Sequence, residues 1–190
     1  MTLYVGLGNP GPAYEKTRHN IGFRVIDRLV EKTGARDISK KAFHGELYRQ
    51  GNLFFLKPLT YMNLSGKSVQ AVMHFFKIPL EDLVVVHDDI DLPLGTVRYK
   101  VGGSPGGHNG LRSIDALVGR EYLRVRLGVG KPEHRGQVAD YVLSPFRPEE
   151  ESTVERIVDF AAEVCLKIPE LPLNELKSRY SLKAEPLHEA

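Results

Sequence analysis

Leu83-Val84-Val85-Val86-His87-Asp88-Asp89 is the stretch on which the fold turns. Its first four residues are apolar without alternation and mostly β-branched, the mark of a strand buried on both faces. On either side of it, strands and helices alternate. Leu3 to Leu7 reads as a short buried strand closed by a Gly/Pro cluster. Ile21, Val25, Ile26, Leu29 and Val30 form a helical stripe from about Asn20 to Lys32, stopped at Gly34. Phe43 to Arg49 and Leu53 to Lys57 form a hairpin around Gln50-Gly51-Asn52. A helix follows from about Ser65 to Phe76. Beyond the Val run, strands at Thr96 to Val101 and Tyr122 to Val129 enclose a helix from about Asn109 to Leu117. Helices from about Pro148 to Lys167 and Asn174 to Tyr180 close the chain. The pattern predicts an α/β fold: one domain over residues 1–190, with a twisted mixed β-sheet covered by helices on both faces.

Composition agrees. The 190 residues suit one domain, and 42% apolar content supplies a sizeable core. No apolar run reaches membrane-spanning length, and the N-terminus lacks a basic segment before an apolar one. Cys165 is alone, in the helical stretch FAAEVCL, and reads as a buried structural thiol in a reducing compartment. The expectation is a cytoplasmic protein with no membrane partner. Net charge is only +2, but Arg98 to Arg135 holds eight Lys/Arg against Asp115, Glu121 and Glu133. That local +5 leaves −3 elsewhere, and a basic segment on a near-neutral chain is the footprint of phosphate-backbone contact as much as of a solvated surface.

Two motifs have familiar spellings and the wrong chemistry. Gly6-Leu7-Gly8-Asn9-Pro10-Gly11 spells G-x-G-x-x-G, but Pro10 and Pro12 remove donors where a dinucleotide's phosphates would need them. The polar loop Ala13 to His19 must serve something else. Gly102-Gly103-Ser104-Pro105-Gly106 spells the G-x-S-x-G nucleophile elbow. That elbow uses the N–H after the serine in its oxyanion hole, and Pro105 has none. A flexible glycine gate is the better reading.

Polar, non-periodic residues gather at Asn9 to Asn20, Thr60 to Gly66, His87 to Asp91 and Gly102 to Asn109. In open α/β sheets, loops beyond the carboxyl ends of strands assemble the site. His19 sits in such a loop with no apolar periodicity. Paired with Asp88 at a strand end, it offers a general base and the carboxylate that fixes its tautomer and raises its pKa. His87, on the alternate face, reads as packed. A metal at His87-Asp88-Asp89-Ile90-Asp91 fits poorly, because alternation splits the ligands between faces. Asn9, Asn63 and Asn109 are turn or cap residues, or amides that hold a peptide and an oxyanion. Two function classes stay open: an enzyme built on these loops, or a non-catalytic RNA-binding protein using the basic segment.

The segments VGLGNPG-x-x-Y-x-x-T-R-H-N-x-G, K-P-x-T-Y-M-N-x-S-G, H-D-D-I-D-L-P-x-G and G-G-S-x-G-G-H-N-G together resemble the bacterial peptidyl-tRNA hydrolase family. They span residue 5 to about 130 in the expected order. The resemblance implies a monomeric, metal- and cofactor-independent esterase that cleaves the ester between a peptide's C-terminus and the 3′-terminal ribose of tRNA. It further implies His19 as the base activating water, Asp88 as its support, and Asn9 as discriminating N-blocked from unblocked substrate. Tyr14, Tyr61, Asn63 and Asn109 would line the substrate site, and Lys100 and Arg126 would meet tRNA phosphates. The 102–109 gate and the 135–150 segment would flank the cleft.

Overall fold

In the computed structural model, which describes residues 1–184, the Val run lies in strand β5 (Leu83–Asp89), paired on both sides and buried from Leu83 to Asp88. Among the described residues the sheet has seven strands in the order β2-β3-β4-β1-β5-β7-β6. The ranges are β1 (Thr2–Gly6), β2 (Arg36–Asp37), β3 (Gly45–Gln50), β4 (Leu53–Pro58), β6 (Val97–Val101) and β7 (Leu123–Gly128). Strands β4, β1, β5 and β7 are mutually parallel, while β3 and β6 run against their neighbours, so the sheet is mixed. The helices are α1 (Ile21–Thr33), α2 (Ser65–Phe76), α3 (Asn109–Val118), α4 (Val138–Val142), α5 (Glu151–Lys167) and α6 (Leu173–Tyr180).

Alternation along the strands builds two cores. Tyr4, Val84, Val86, Val125 and Leu127 pack beneath the stripe of α1 and the apolar side of α5. Leu3, Val5, Leu56, Leu83 and Val85 pack on the other face against Val69 and Val72 of α2 and Leu111 and Ile114 of α3. Cys165 is fully buried and its thiol is pushed up to about 12 by burial, as a structural cysteine requires. No helix among the described residues is long and apolar enough to cross a membrane.

Gly6 of the first motif and Gly22 of α1 allow close packing of helix on strand. A Cβ on Gly6 would lie 2.2 Å from the Gly22 carbonyl oxygen. A Cβ on Gly22 would lie 2.5 Å from the Val86 oxygen and 2.6 Å from the Leu7 nitrogen. The start of α1 therefore rests directly on the carboxyl ends of β1 and β5. That contact carries the Arg18–Asn20 turn, which immediately precedes α1, onto the end of β5.

The structure adds β2 and α4, which at two and five residues are too short to show a period. It also revises the fourth polar segment. Because β6 is antiparallel to β7, with Val101 level with Leu123 and Val84, that segment leaves from the edge opposite Asp88. The glycine stretch must climb across the sheet face before it reaches α3.

Candidate active site

Asp88 is the hub. It is 2% exposed, yet each of its oxygens has an N–H partner. Oδ2 accepts from His19 Nδ1 at 2.8 Å, and Oδ1 accepts from His108 Nε2 at 2.8 Å. Burial alone would raise this carboxyl's pKa, but the His19 and His108 rings and their hydrogen bonds hold it far below the usual carboxylate range. An ionised carboxylate only accepts, so His19 carries its proton on Nδ1 and turns the Nε2 lone pair outward. His19 lines a cleft of about 790 Å³, and among the described residues its Nε2 makes no hydrogen bond. Burial pulls the imidazole pKa down, and the Asp88 charge and hydrogen bond outweigh it, leaving the pKa raised above 6.5.

His108, in the polar segment Gly102 to Asn109, completes the arrangement. Its Nδ1 accepts from the N–H groups of Gly110 (3.1 Å) and Leu111 (3.3 Å), so its side chain is the N-cap of α3 and Asn109 is not. Two donors on Nδ1 place the ring proton on Nε2, where Asp88 receives it. The helix end thus fixes the tautomer of the second ring on Asp88. No sequence signal distinguishes a capping histidine from a surface one.

His19, Asp88 and His108 offer ligand-type atoms within 4.8 Å of one another. Both carboxylate oxygens already take N–H groups, and His108 could free Nε2 for a metal only by giving up its cap. The donor set fits a proton-holding relay, and a metal is poorly served by it.

The other candidates fall into two neighbouring groups. Lys100, Arg126 and Asn109 line the same cleft as His19 and Asp88. Arg126 donates through Nε to Asp89 at 2.9 Å, while Lys100 is exposed. Asn9, Tyr14, Tyr61 and Asn63 are not among the residues that line that cleft and form a group of their own. Asn9 Oδ1 accepts the Met62 N–H at 2.7 Å, which ties the end of β1 to the Tyr61-Met62-Asn63 loop. Asn20, which the sequence reading did not single out, grips the Asn9 backbone on both sides. Its Oδ1 accepts the Asn9 N–H at 2.8 Å and its Nδ2 donates to the Asn9 carbonyl at 2.9 Å. The rings of Tyr14 and Tyr61 meet edge-on at 6.4 Å. Tyr61 is 55% exposed and holds φ at 62°, a left-handed conformation costly for a non-glycine residue and typical of functional sites. Gly110 brings this group to the cleft, because a Cβ there would meet Met62 Sδ at 2.6 Å. Asn63 and Asn109 are both exposed on the two sides of that contact.

Arg18 secures the wall beyond His19. It is 5% exposed and donates to Ser144 Oγ, to the Pro145 carbonyl at 2.8 Å and to Glu150 Oε1 at 3.0 Å. Glu150 is the buried counter-ion of the residue next to His19. This pairing holds the segment whose Val138, Ala139 and Val142 line the cleft.

The comparisons with known proteins bear on this geometry. The family model described as peptidyl-tRNA hydrolase matches residues 3–187. The peptidyl-tRNA hydrolase of Sulfurovum sp. is 64% identical over 184 residues, covering 97% of each chain. That of Sulfurimonas denitrificans is 51% identical, covering 97% of this chain and 99% of its own. The crystal structure of peptidyl-tRNA hydrolase from Acinetobacter baumannii superposes with a TM-score of 0.86 at 36% identity, over 95% of this chain and 96% of that one. By sequence and by fold, the chain belongs to the peptidyl-tRNA hydrolase family.

Proposed function

We propose that this chain hydrolyses the ester joining a peptide's C-terminal carboxyl to the 3′-terminal ribose of tRNA, with His19 as general base. The observation that carries the reading is the outward Nε2 of His19, backed by a buried, ionised Asp88 whose other oxygen is occupied by His108. A water on Nε2 gives up its proton as it attacks the ester carbonyl, and Asp88 stabilises the imidazolium that forms. As the tetrahedral intermediate collapses and its bond to the ribose oxygen breaks, the His19 imidazolium gives that proton to the ribose oxygen, releasing peptide and tRNA and restoring the neutral base. Base catalysis of this kind supplies roughly 10²–10⁴-fold, the rest coming from orientation and electrostatics.

The exposed amides of Asn63 and Asn109 suit a peptide carbonyl and its developing oxyanion. Asn9, held by Asn20 and Met62, keeps its Nδ2 available for the substrate's blocked amino group. Lys100 and Arg126 would receive tRNA phosphates along the cleft. The protein would act as a monomer in the cytoplasm, where its substrate arises. The test is release from N-acetyl-aminoacyl-tRNA and from the same tRNA unblocked, both with EDTA present. Rapid release from the blocked substrate alone supports the reading. Tight tRNA binding with no release from either would replace it with a non-catalytic RNA-binding role.

A further inference from the structure

Arg124 belongs to the basic segment whose charge suits either phosphate contact or a solvated surface, and the structure employs it as neither. It is 2% exposed beneath the glycine stretch. Nη1 donates to the Ser104 carbonyl at 2.7 Å, and Nη2 reaches the Gly103 carbonyl at 3.2 Å. Nη2 also meets both oxygens of Asp115 on α3 at 3.1 Å, and Asp115 accepts the Tyr122 hydroxyl at 2.6 Å. The guanidinium charge is therefore already balanced.

The loop it holds needs holding. Gly102, Gly103, Gly106 and Gly107 all have positive φ, so its backbone has wide freedom to rearrange. It crosses from the far edge of the sheet to the cap of α3, and Ser104, Pro105 and Gly107 line the cleft on the way. Between Gly103 and Gly107, Arg124 is the only side chain from outside the loop that hydrogen-bonds its backbone among the described residues. Lys100 leans on the same loop: a Cβ on Gly103 would meet its Nζ at 2.5 Å.

We infer that Arg124 is a positioning residue and not a phosphate ligand: its planar fork latches the glycine loop across the cleft, setting how His108, Asn109 and Lys100 are presented. The inference rests on the hydrolase reading for its effect on turnover, but the latch itself is measurable without substrate. A planar fork spanning two carbonyls and a carboxylate cannot be replaced by an ammonium.

Arg124→Lys and Arg124→Gln are compared with the unaltered chain by hydrogen exchange and by hydrolysis of N-acetyl-aminoacyl-tRNA across salt concentrations. The latch predicts faster exchange over 102–107 in both variants, with β5 and α5 unchanged. It predicts kcat/KM down roughly 10- to 100-fold in both, as for a misplaced site, with the salt dependence of KM unaltered. Rescue by Lys, a shallower salt slope in the Gln variant (by about 0.7–0.9), or loop exchange like that of the unaltered chain would overturn it. Faster loop exchange with unchanged turnover would overturn it as well. Should the Gln variant not fold, Asp115→Asn loosens the fork from its other side and must give the same exchange signature. Failure of the unaltered chain to release peptide would instead count against the proposed function and leave the exchange result standing.

Discussion

Replacing Asp88 by Asn is the perturbation whose consequence follows most directly from the geometry. The carboxylate is 2% exposed and meets His19 Nδ1 at 2.8 Å, so solvent screens it little. With charge centres about 4 Å apart and an effective dielectric of about 20, its attraction for the imidazolium is about 4 kcal/mol, roughly 10³ in rate. A second effect adds to this. The amide introduced by Asp88→Asn would have one acceptor oxygen for two N–H groups, and the His108 tautomer is fixed by the Gly110 and Leu111 amides. The oxygen must serve His108, so the amide NH₂ faces His19 and drives its proton onto Nε2, the atom that should accept from water. Loss of Asp88 also removes what holds the His19 pKa up, leaving burial to lower it below 6.5. Single-turnover hydrolysis of N-acetyl-aminoacyl-tRNA should fall about 10³- to 10⁴-fold with tRNA affinity kept. Nitrogen NMR of the imidazoles should show the His19 proton moved from Nδ1 to Nε2. A rate within tenfold of the unaltered chain, or an unmoved proton, would rule out this role for Asp88.

Further outcomes follow from other parts of the molecule. Gly22→Ala puts a Cβ 2.5 Å from the Val86 oxygen, a backbone atom that cannot swing aside. Thermal unfolding should show a loss of roughly 1–3 kcal/mol, and turnover should fall because α1 carries His19 to Asp88. His87 is buried with its Nε2 unpartnered, and burial, then the nearby His108, lower its pKa to about 4. The unfolded chain therefore binds a proton below about 6.5 that the folded chain refuses until about pH 4. Stability should drop by up to about 3 kcal/mol across that window, and His87→Phe should flatten the drop in denaturant titrations. Lys100→Gln and Arg126→Gln should each raise KM and reduce its salt dependence by about 0.7–0.9 in log–log slope, with kcat little changed.

The fold was legible because its decisive signals are periodic. The unbroken Val run, the α1 stripe and the hairpin each name an element whose type survives any shift of its ends. What escaped was short or non-local. The two residues of β2 and five of α4 have no room for a period. The direction of β6 is set by pairing with β7, which no local pattern encodes, and this misplaced the start of the glycine segment. The His19–Asp88 pair was readable because both residues lie in polar segments at strand ends. His108, Asn20, Arg18 and Arg124 were not singled out for the roles they hold, since each acts through a partner distant in sequence: Asp88, Asn9, Glu150 and the Ser104 carbonyl. A charge count could not separate Arg124, turned inward and neutralised by Asp115, from Lys100, which faces solvent.

In the proposed mechanism His19 takes the proton from the attacking water. The most direct test of this step is the pH dependence of single-turnover ester release by the unaltered chain and by His19→Ala, with tRNA binding measured alongside. In the unaltered chain the rate should rise with pH through an apparent pKa above 6.5. In His19→Ala that titration should vanish, the rate falling at least about 10²-fold while tRNA binding persists. A His19→Ala protein that keeps near-normal turnover, or the same pH limb, would show that another group is the base.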